Sequence, residues 1–426
     1  MRLLVCLFFA CAWGLQAEVR TLTLRETVDL AVRQNPDLAM SRLDEQKGWL
    51  DVRAARDPFV PKVVVGSGAA YSNGFPMSIE GSAPTVFRAQ AVGTVFDRAQ
   101  TYRIAQAKEN ARGAQLETAA RREDVALRAA NLFLDAERAA RNLDLARKQL
   151  INLEKVAEEV ALQVKEGRAL EVDLKRARFN LAAHRHRILS LEAEMEMAET
   201  ALAVLLGFGA SDRVRPAAQD RLVPLVPETE EAAVRGALET NRDLRRLHSA
   251  LAARNLDAKA SRAERLPVVD LVAQYGLFAK YNNYEDFFNR FQRHNGQLGV
   301  SVRVPITPSQ SAAARAAQSD IEVTRLRIEI QKTRDQISQT ARRFFFEVKR
   351  AESAVEVARL DLEVAREQVS VLLARMEEGK VTLRQLEEAR YAENEKWQVW
   401  VDSRYALERA KYALLKETGD LVAALR

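Results

Sequence analysis

Cysteine is nearly missing from this 426-residue chain. It has two, Cys6 and Cys11, both at the N-terminal end. A mature chain that starts beyond them carries no thiol, which suits export into an oxidising compartment. It also rules out a zinc–thiolate site or a cysteine nucleophile downstream. Proline is missing from Thr85 to Arg215, and both proline and glycine from Ser309 to Glu378. Stretches that free of helix breakers predict helices of about 65 residues, roughly 100 Å long at 1.5 Å per residue. A compact domain cannot contain such rods. Beyond the leader there is no long unbroken apolar run, so no transmembrane helix is predicted, although barrel strands are too weak a signal to be excluded this way. A single-sign charge bias is missing as well: 65 basic residues face 59 acidic ones. The two signs are interspersed, as in Glu154-Lys155, which fits solvated helix faces and argues against nucleic acid as a partner. No nucleophile elbow, Walker loop, zinc-protease helix or dinucleotide fingerprint is present. No catalytic residue, metal site or cofactor is therefore expected.

Residues 1–17 read as a signal peptide. Arg2 supplies the charge, Leu3–Trp13 the apolar stretch, and Leu15-Gln16-Ala17 a loose cleavage site. The mature chain is expected to start at Glu18. The alternative is a lipoprotein leader with Cys11 as the lipidated residue, for which Phe8-Phe9-Ala10-Cys11 is a poor match.

What is present is a pair of heptad ladders set 212 residues apart. The first runs from Val125 through Ala129, Leu132, Ala136, Ala139, Leu143 and on to Leu150 and Val164. The second runs from Ile337 through Ala341, Phe344, Val348, Ala351, Val355 and on to Leu362 and Met376. All 24 positions are apolar, spaced alternately four and three, and nine are alanine. Each ladder stops three residues before a glycine, Gly167 or Gly379. Two copies of one coiled-coil hairpin follow, each with a glycine where the chain needs a left-handed residue to turn back. Asn35, Asp37 and Leu38 recur as Asn241, Asp243 and Leu244, and Pro61 recurs as Pro267.

The first repeat is read as 18–213, with helices 23–35 and 38–56, strands 62–71 and 88–96, and a hairpin over 98–206. A linker covers 214–227. The second repeat, 228–426, has helices 228–240 and 243–263, strands 267–278 and 297–304, and a hairpin over 309–416. In the second repeat Val269, Leu271, Ala273 and Tyr275 alternate with polar or small residues, as do Leu298, Val300, Val302 and Val304. This period of two suits a membrane barrel strand or a half-buried soluble strand. Four strands per chain fall short of the roughly eight that the smallest membrane barrels need. If these strands span lipid, several chains must share the barrel, because an open edge there is costly.

The duplicated strand pair and long hairpin resemble the TolC-like outer-membrane efflux and secretion channels. The likeness rests on Leu22-Thr23-Leu24, Asn35-Pro36-Asp37-Leu38, the turns at Gly167 and Gly379, Leu205-Leu206-Gly207, and Val302-Arg303-Val304-Pro305-Ile306. It spans about 22–419. The resemblance implies a mainly α fold with a small β part. Three chains would form a 12-stranded β-barrel in outer-membrane lipid, continued by a 12-helix α-barrel across the periplasm. It implies a passive exit duct of a tripartite efflux pump or type I secretion system, with a periplasmic adaptor and an inner-membrane transporter as partners. The helix over 38–56 would stack end to end on that over 170–206. The adaptor would dock at the tips, Gly167, Arg168, Gly379 and Lys380. The periplasmic entrance would involve Gln385 and Glu388, six and nine positions after the second tip glycine, and Asp173 on the first hairpin. A periplasmic adaptor and a coiled-coil scaffold without a pore are the alternatives. Two equal hairpins speak against the first and the alternating strands against the second.

Three details stay open at this level. His184 and His186 point to different helix faces and do not make a metal site; His184 reads as a tolerated polar seam residue. Glu393, Lys396, Ser403 and Glu417 interrupt the apolar face of the last long helix, through a watery interior or a different register. Tyr281, Tyr284, Phe287, Phe288 and Phe291 suggest loop packing near the outer surface, as a belt or a plug of the mouth, with a small local core as the alternative.

Overall fold

The computed structural model describes residues 19–67, 85–217, 224–278, 292–306, 310–378 and 380–425. In chain order the first half contains β1 (Val19–Leu22), α1 (Leu24–Gln34), α2 (Pro36–Arg56), β2 (Lys62–Gly66), β3 (Thr85–Phe96), α3 (Arg98–Lys165), α4 (Glu171–Leu205) and β4 (Arg213–Pro216). The second half contains α5 (Glu230–Thr240), α6 (Arg242–Ala263), β5 (Val268–Phe278), β6 (His294–Arg303), α7 (Gln310–Glu377), α8 (Leu383–Glu417) and α9 (Leu421–Ala424). The chain compacts into two units that cut across the sequence repeat. One takes Met1–Met40, Ala119–Asn241 and Asp335–Arg426; the other takes Ser41–Thr118 and Arg242–Arg334.

The hairpin unit owes its cohesion to the ladders. All 24 ladder residues are buried or half-buried within the single chain. Leu143 and Ala146 of α3 meet Ile188 and Leu191 of α4, with Leu150 and Met195 alongside. A larger core gathers Phe133 and Leu134 of α3, Leu202 and Leu206 at the end of α4, Val28 and Ala31 of α1, and Tyr412 and Leu415 of α8. Between α8 and α3 the seam carries charge: Lys416 lies 3.1 Å from Asp124, Arg409 pairs with Asp135, and Arg138 lies 3.7 Å from Asp402. The α7–α8 seam is bridged by Lys396–Asp361 at 2.7 Å and Arg366–Glu393 at 3.5 Å. Thus α7 packs on α8, α8 on α3 and α3 on α4, and α4 also reaches α8 through Arg187 and Gln398. Glu393 and Lys396 interrupt the apolar face because they pair across their own hairpin.

Short elements close this unit in ways the sequence did not suggest. β1 pairs in parallel with β4, from Val19↔Arg213 to Leu22↔Pro216. The stretch read as a linker from 214 therefore begins as a strand, with Val214 fully buried. Arg215 meets the buried Glu199 of α4 at 2.8 Å. The Asn35 motif is a joint. Its side-chain oxygen accepts from the Leu38 amide at 3.2 Å, starting α2, while its amide donates to the Leu205 carbonyl at 2.8 Å, at the end of α4. Thr23 opens α1 with a capping box on Glu26, the arrangement that satisfies two otherwise orphaned helix N–H groups. Hydrogen bonding from the Thr23 backbone and hydroxyl lowers the Glu26 carboxyl below its usual pKa.

The second unit packs its helices in the order α2–α3–α6–α7. Thr118 donates to the Ser41 carbonyl at 3.0 Å, joining α3 to α2. Arg103 reaches Glu264 at the end of α6 at 2.5 Å. Arg262 of α6 reaches Asp320 of α7 at 2.5 Å, and Arg315 of α7 reaches Glu264 at 2.7 Å. The four long strands form one antiparallel sheet in the order β2–β3–β5–β6. Strand order repeats helix order, because each strand continues from or into one of these helices.

Strand limits differ from the sequence reading. The strand expected at 88–96 starts at Thr85. The one expected at 297–304 spans His294–Arg303, because pairing continues to Leu277↔His294. Val304 lies one residue beyond it. The described part of the strand expected at 62–71 ends at Gly66, and residues 68–71 lie outside the described residues. So do the leader and the aromatic cluster Tyr281, Tyr284, Phe287, Phe288 and Phe291.

Candidate channel wall and hairpin tips

The register sorts the sheet into two chemically different faces. On one face Ala91, Ala273 and Leu298 form a row, as do Gly93, Leu271 and Val300. Val63 and Val65 join it from β2, opposite Ala91 and Ala89. Val269, Leu271, Ala273, Tyr275, Leu298, Val300 and Val302 all lie here. Leu298 is 78% exposed and Val300 64% exposed in the single chain. The other face carries the polar groups, although a row of Val92, Val272 and Gly299 also lies on it. Gln90, Gln274 and Gln297 form a row, and Thr94, Asp270 and Ser301 another. Asp270 is only 5% exposed. It accepts from Thr94 at 2.8 Å and from Arg303 at 2.7 Å, a guanidinium that stays 73% exposed. Gln274 accepts from the Arg88 guanidinium at 2.9 and 3.0 Å. A buried carboxylate is tolerated only when so partnered. The exposed apolar face is the unusual one for water, since large contiguous apolar patches mark interaction surfaces.

The apolar face is rimmed by aromatic rings. Phe87 stacks edge-on against Tyr275, with centroids 6.4 Å apart, and Tyr275 lies 6.2 Å from the His294 ring. The Tyr275 hydroxyl sits 2.6 Å from His294 Nδ1.

The two hairpin turns share one cap. Gly167 has φ +71°. Its N–H donates to Val164 O at 3.0 Å and that of Arg168 to Gln163 O at 2.8 Å, the paired bonds that end a helix around a left-handed glycine. At the second turn the Lys380 N–H donates to Arg375 O at 2.9 Å, the equivalent bond 212 residues on. Gly379 lies outside the described residues. Each tip cation pairs with the glutamate two residues before it, Arg168–Glu166 at 3.3 Å and Lys380–Glu378 at 2.7 Å. The returning helices also start alike. Asp173 accepts from the Leu170 amide at 3.3 Å and Gln385 from the Thr382 amide at 3.1 Å.

Gln385 and Glu388 are exposed, and Glu387 pairs with Arg390 at 3.2 Å. Asp173 is half-buried and binds Arg384 of the other hairpin at 2.8 Å. Arg384 was invisible to sequence reasoning, because the pair joins residues 211 positions apart. Asp270 carried a signal that could have been used: it is the only carboxylate on the polar side of an otherwise uncharged strand. His184 is buried, with Nε2 2.8 Å from the Ala146 carbonyl, which accounts for it as a seam residue. Among the described residues no cluster of His, Cys, Asp or Glu could hold a metal ion, and no helix is long and apolar enough to cross a membrane.

Long duplicated hairpins and a sheet with one apolar and one polar face are the parts of a channel wall. The family model for the outer membrane efflux protein matches residues 27–208 and 233–420. The chain belongs to that family, whose members are outer-membrane channels and not enzymes. Its place is the outer membrane, with a large helical part in the periplasm, and its task is that of an efflux duct. Members act as trimers with an adaptor and an inner-membrane pump. Among solved structures it is similar to the CusC channel, with 16% identity, a TM-score of 0.76, and 96% of this chain and 95% of that one covered. It is also similar to the CmeC outer membrane channel of Campylobacter jejuni, with 14% identity, a TM-score of 0.75 and 93% and 86% covered. For VceC of Vibrio cholerae the values are 14%, 0.74, and 93% and 96%. A comparison with curated protein sequences finds no match.

Proposed function

We propose that three copies of this chain close edge to edge into one duct. The carrying observation is a set of exposed apolar residues at heptad spacing on the edge helices. In the hairpin unit these are Val357, Val364 and Val371 of α7, and Val172 and Phe179 of α4. In the other unit they are Leu43 and Leu50 of α2, and Ile321 and Ile328 of α7. A seven-residue period is the mark of a helix seam that awaits a partner. The sheet agrees. β2 and β6 each pair on one side only among the described strands, and lipid does not tolerate an open edge. Joining β6 of one copy to β2 of the next removes both. Twelve strands then face lipid with Leu271, Leu298 and Val300, and face the lumen with Asp270, Gln274 and Arg303.

Access is controlled at the helical tips. The Asp173–Arg384 pair ties the two hairpins together just beyond their turns and holds the entrance narrow, with Glu388 and Gln385 exposed next to it. The adaptor docks on the tips around Gly167, Arg168, Gly379 and Lys380. The cargo is set by the inner-membrane pump that the adaptor recruits. Each sequence repeat, 18–213 and 228–426, supplies one strand pair and one hairpin. Native mass spectrometry of the protein extracted in mild detergent tests the assembly. Three times the protomer mass is expected; a monomer or a dimer under the mildest conditions overturns it.

A further inference from the structure

The helical wall of the second unit has two broad faces of unlike charge. The seams that meet the next copy run along the edge helices, so assembly covers neither face. Over 41–118 and 242–334 there are 26 Lys and Arg against 17 Asp and Glu, while the rest of the chain has 39 against 42. Ion pairs show how the excess is divided. Arg103 and Arg315 both reach Glu264, and Arg246 reaches Glu117 at 3.9 Å. These groups share one face of α3, α6 and α7, which Glu322 and Glu329 continue at seven-residue steps from Arg315. Arg262 and Asp320 pair at 2.5 Å on the opposite face, where Lys108 of α3, Lys259 of α6 and Arg327 of α7 also lie. α2 meets α3 along Ser41, Gly48 and Ala55. The right-handed turn of α2 then sends Trp49, Arg53 and Arg56 to the cationic face, and Asp44 and Asp51 to the other.

Arg53, Arg56, Lys108, Lys259 and Arg327 are exposed and meet no carboxylate among the described residues. Asp320 and Glu109 on this face are already held, by Arg262 and by Arg112 at 3.1 Å. If the chain forms a duct wall, curvature fixes which face looks outward. α3 and α7 flank α6, and their Arg103 and Arg315 converge on the single Glu264 carboxylate. Side chains of second-neighbour helices converge on the hollow side of a curved wall. The Glu264 face therefore lines the lumen, and the cationic face looks into the periplasm. Resting on the duct reading, we infer that this outward face docks a polyanion of the periplasm, the carboxylate-bearing glycan of the cell wall, peptidoglycan. From Arg56, at the sheet end of α2, to Arg327, 17 residues along α7, the cations descend about 25 Å at 1.5 Å per residue. That is too far for a headgroup layer of about 5–8 Å. It suits carboxylates repeated along a polymer, each met by a guanidinium or an ammonium group. Trp49, 46% exposed and four residues before Arg53, offers an apolar ring to a sugar beside those charges.

Co-sedimentation with purified peptidoglycan sacculi tests this on the intact oligomer in a non-ionic detergent. The oligomer should sediment with sacculi at about 0.05 M salt and stay in solution at about 1 M, where the screening length is only about 3 Å. Reversing four charges together, R53E, K108E, K259E and R327E, should lower the bound fraction about tenfold or more. E329Q, on the other face, should leave it unchanged. W49A should weaken sedimentation several-fold without altering its salt dependence. Failure of the native oligomer to sediment overturns the inference, and so does full sedimentation of the four-charge variant. Unchanged sedimentation of W49A removes the sugar contact and with it the choice of peptidoglycan. A preference for phosphatidylglycerol vesicles over sacculi also overturns it and makes the face a lipid contact. Native mass spectrometry keeps the duct reading separate. Absence of the threefold mass in the native protein fails that reading, whereas a threefold oligomer that ignores sacculi fails only the inference.

Discussion

Replacing Gly167 or Gly207, two of the three left-handed glycines among the described residues, by alanine should separate a solvent-exposed turn from a packed joint. Gly167 and Gly207 have nearly the same backbone, φ +71° and +82°. An alanine in this region costs about 1–2 kcal/mol at either site. Their surroundings differ. A Cβ at Gly167 meets nothing within 4 Å, whereas one at Gly207 lies 3.0 Å from the Gln34 carbonyl oxygen and 3.7 Å from its carbon. Those are backbone atoms at the end of α1, next to Asn35, whose side chain holds Leu205 and Leu38. The helix end must shift, and overpacking of that kind adds about 1–3 kcal/mol. G207A should therefore cost about 2–5 kcal/mol and G167A about 1–2 kcal/mol. Both can be followed by helix circular dichroism during heating of the detergent-solubilised oligomer. The shift per kcal/mol should lie below the roughly 2–4 °C of a 150–250-residue domain, since this chain is longer. The ordering is the test: G167A at least as damaging as G207A would refute the packed joint.

Leu143→Asp should destabilise the first hairpin strongly and Leu150→Asp less so, because Leu143 is buried and Leu150 only half-buried. Burial of a leucine is worth about 1.5–3 kcal/mol before the penalty of an unpaired charge, and equal melting shifts would contradict the assigned seam. Arg303→Ala should weaken the barrel more than Asp270→Asn. The first strands a buried carboxylate with Thr94 alone, while the second leaves a largely solvated guanidinium. Heat resistance of the oligomer on gels reads this out. Asp173→Asn should raise resting conductance yet change stability by no more than about 1 kcal/mol, as expected for an ion pair whose Arg384 side remains exposed to solvent. The carboxyl of Glu26 titrates below its ordinary range because Thr23 hydrogen-bonds the charged form. Its contribution is present above the unfolded pKa and is lost as pH falls through the lower folded one. Thr23→Ala should flatten that part of the acid unfolding curve.

The long elements were legible because their signals are periodic. Heptad spacing marked all 24 seam residues, and each is buried or half-buried without any partner chain. Alternation marked β5 and β6, whose faces separate as their sequences do. β2 was obscure because Val63, Val64 and Val65 run together, so no alternation shows, and β3 because its bulge breaks the period at Thr94–Phe96. β1 and β4 had no local signature at all. Each is four residues long, and they meet across almost two hundred residues. The polar breaks in α8 looked like a lumen face or a wrong register. Two of the four, Lys396 and Glu393, are partners for Asp361 and Arg366, which no single-helix pattern can reveal. The tips were legible through their glycines, but the Asp173–Arg384 tie was not, since it depends on how two hairpins lie side by side.

Conductance across a planar lipid bilayer tests the central claim most directly. Purified oligomer added to one side should insert in discrete steps of equal size, each step one duct, and Asp173→Asn should increase the step. Folded, oligomeric protein that inserts without conducting, and that gains no conductance from Asp173→Asn, would contradict the account.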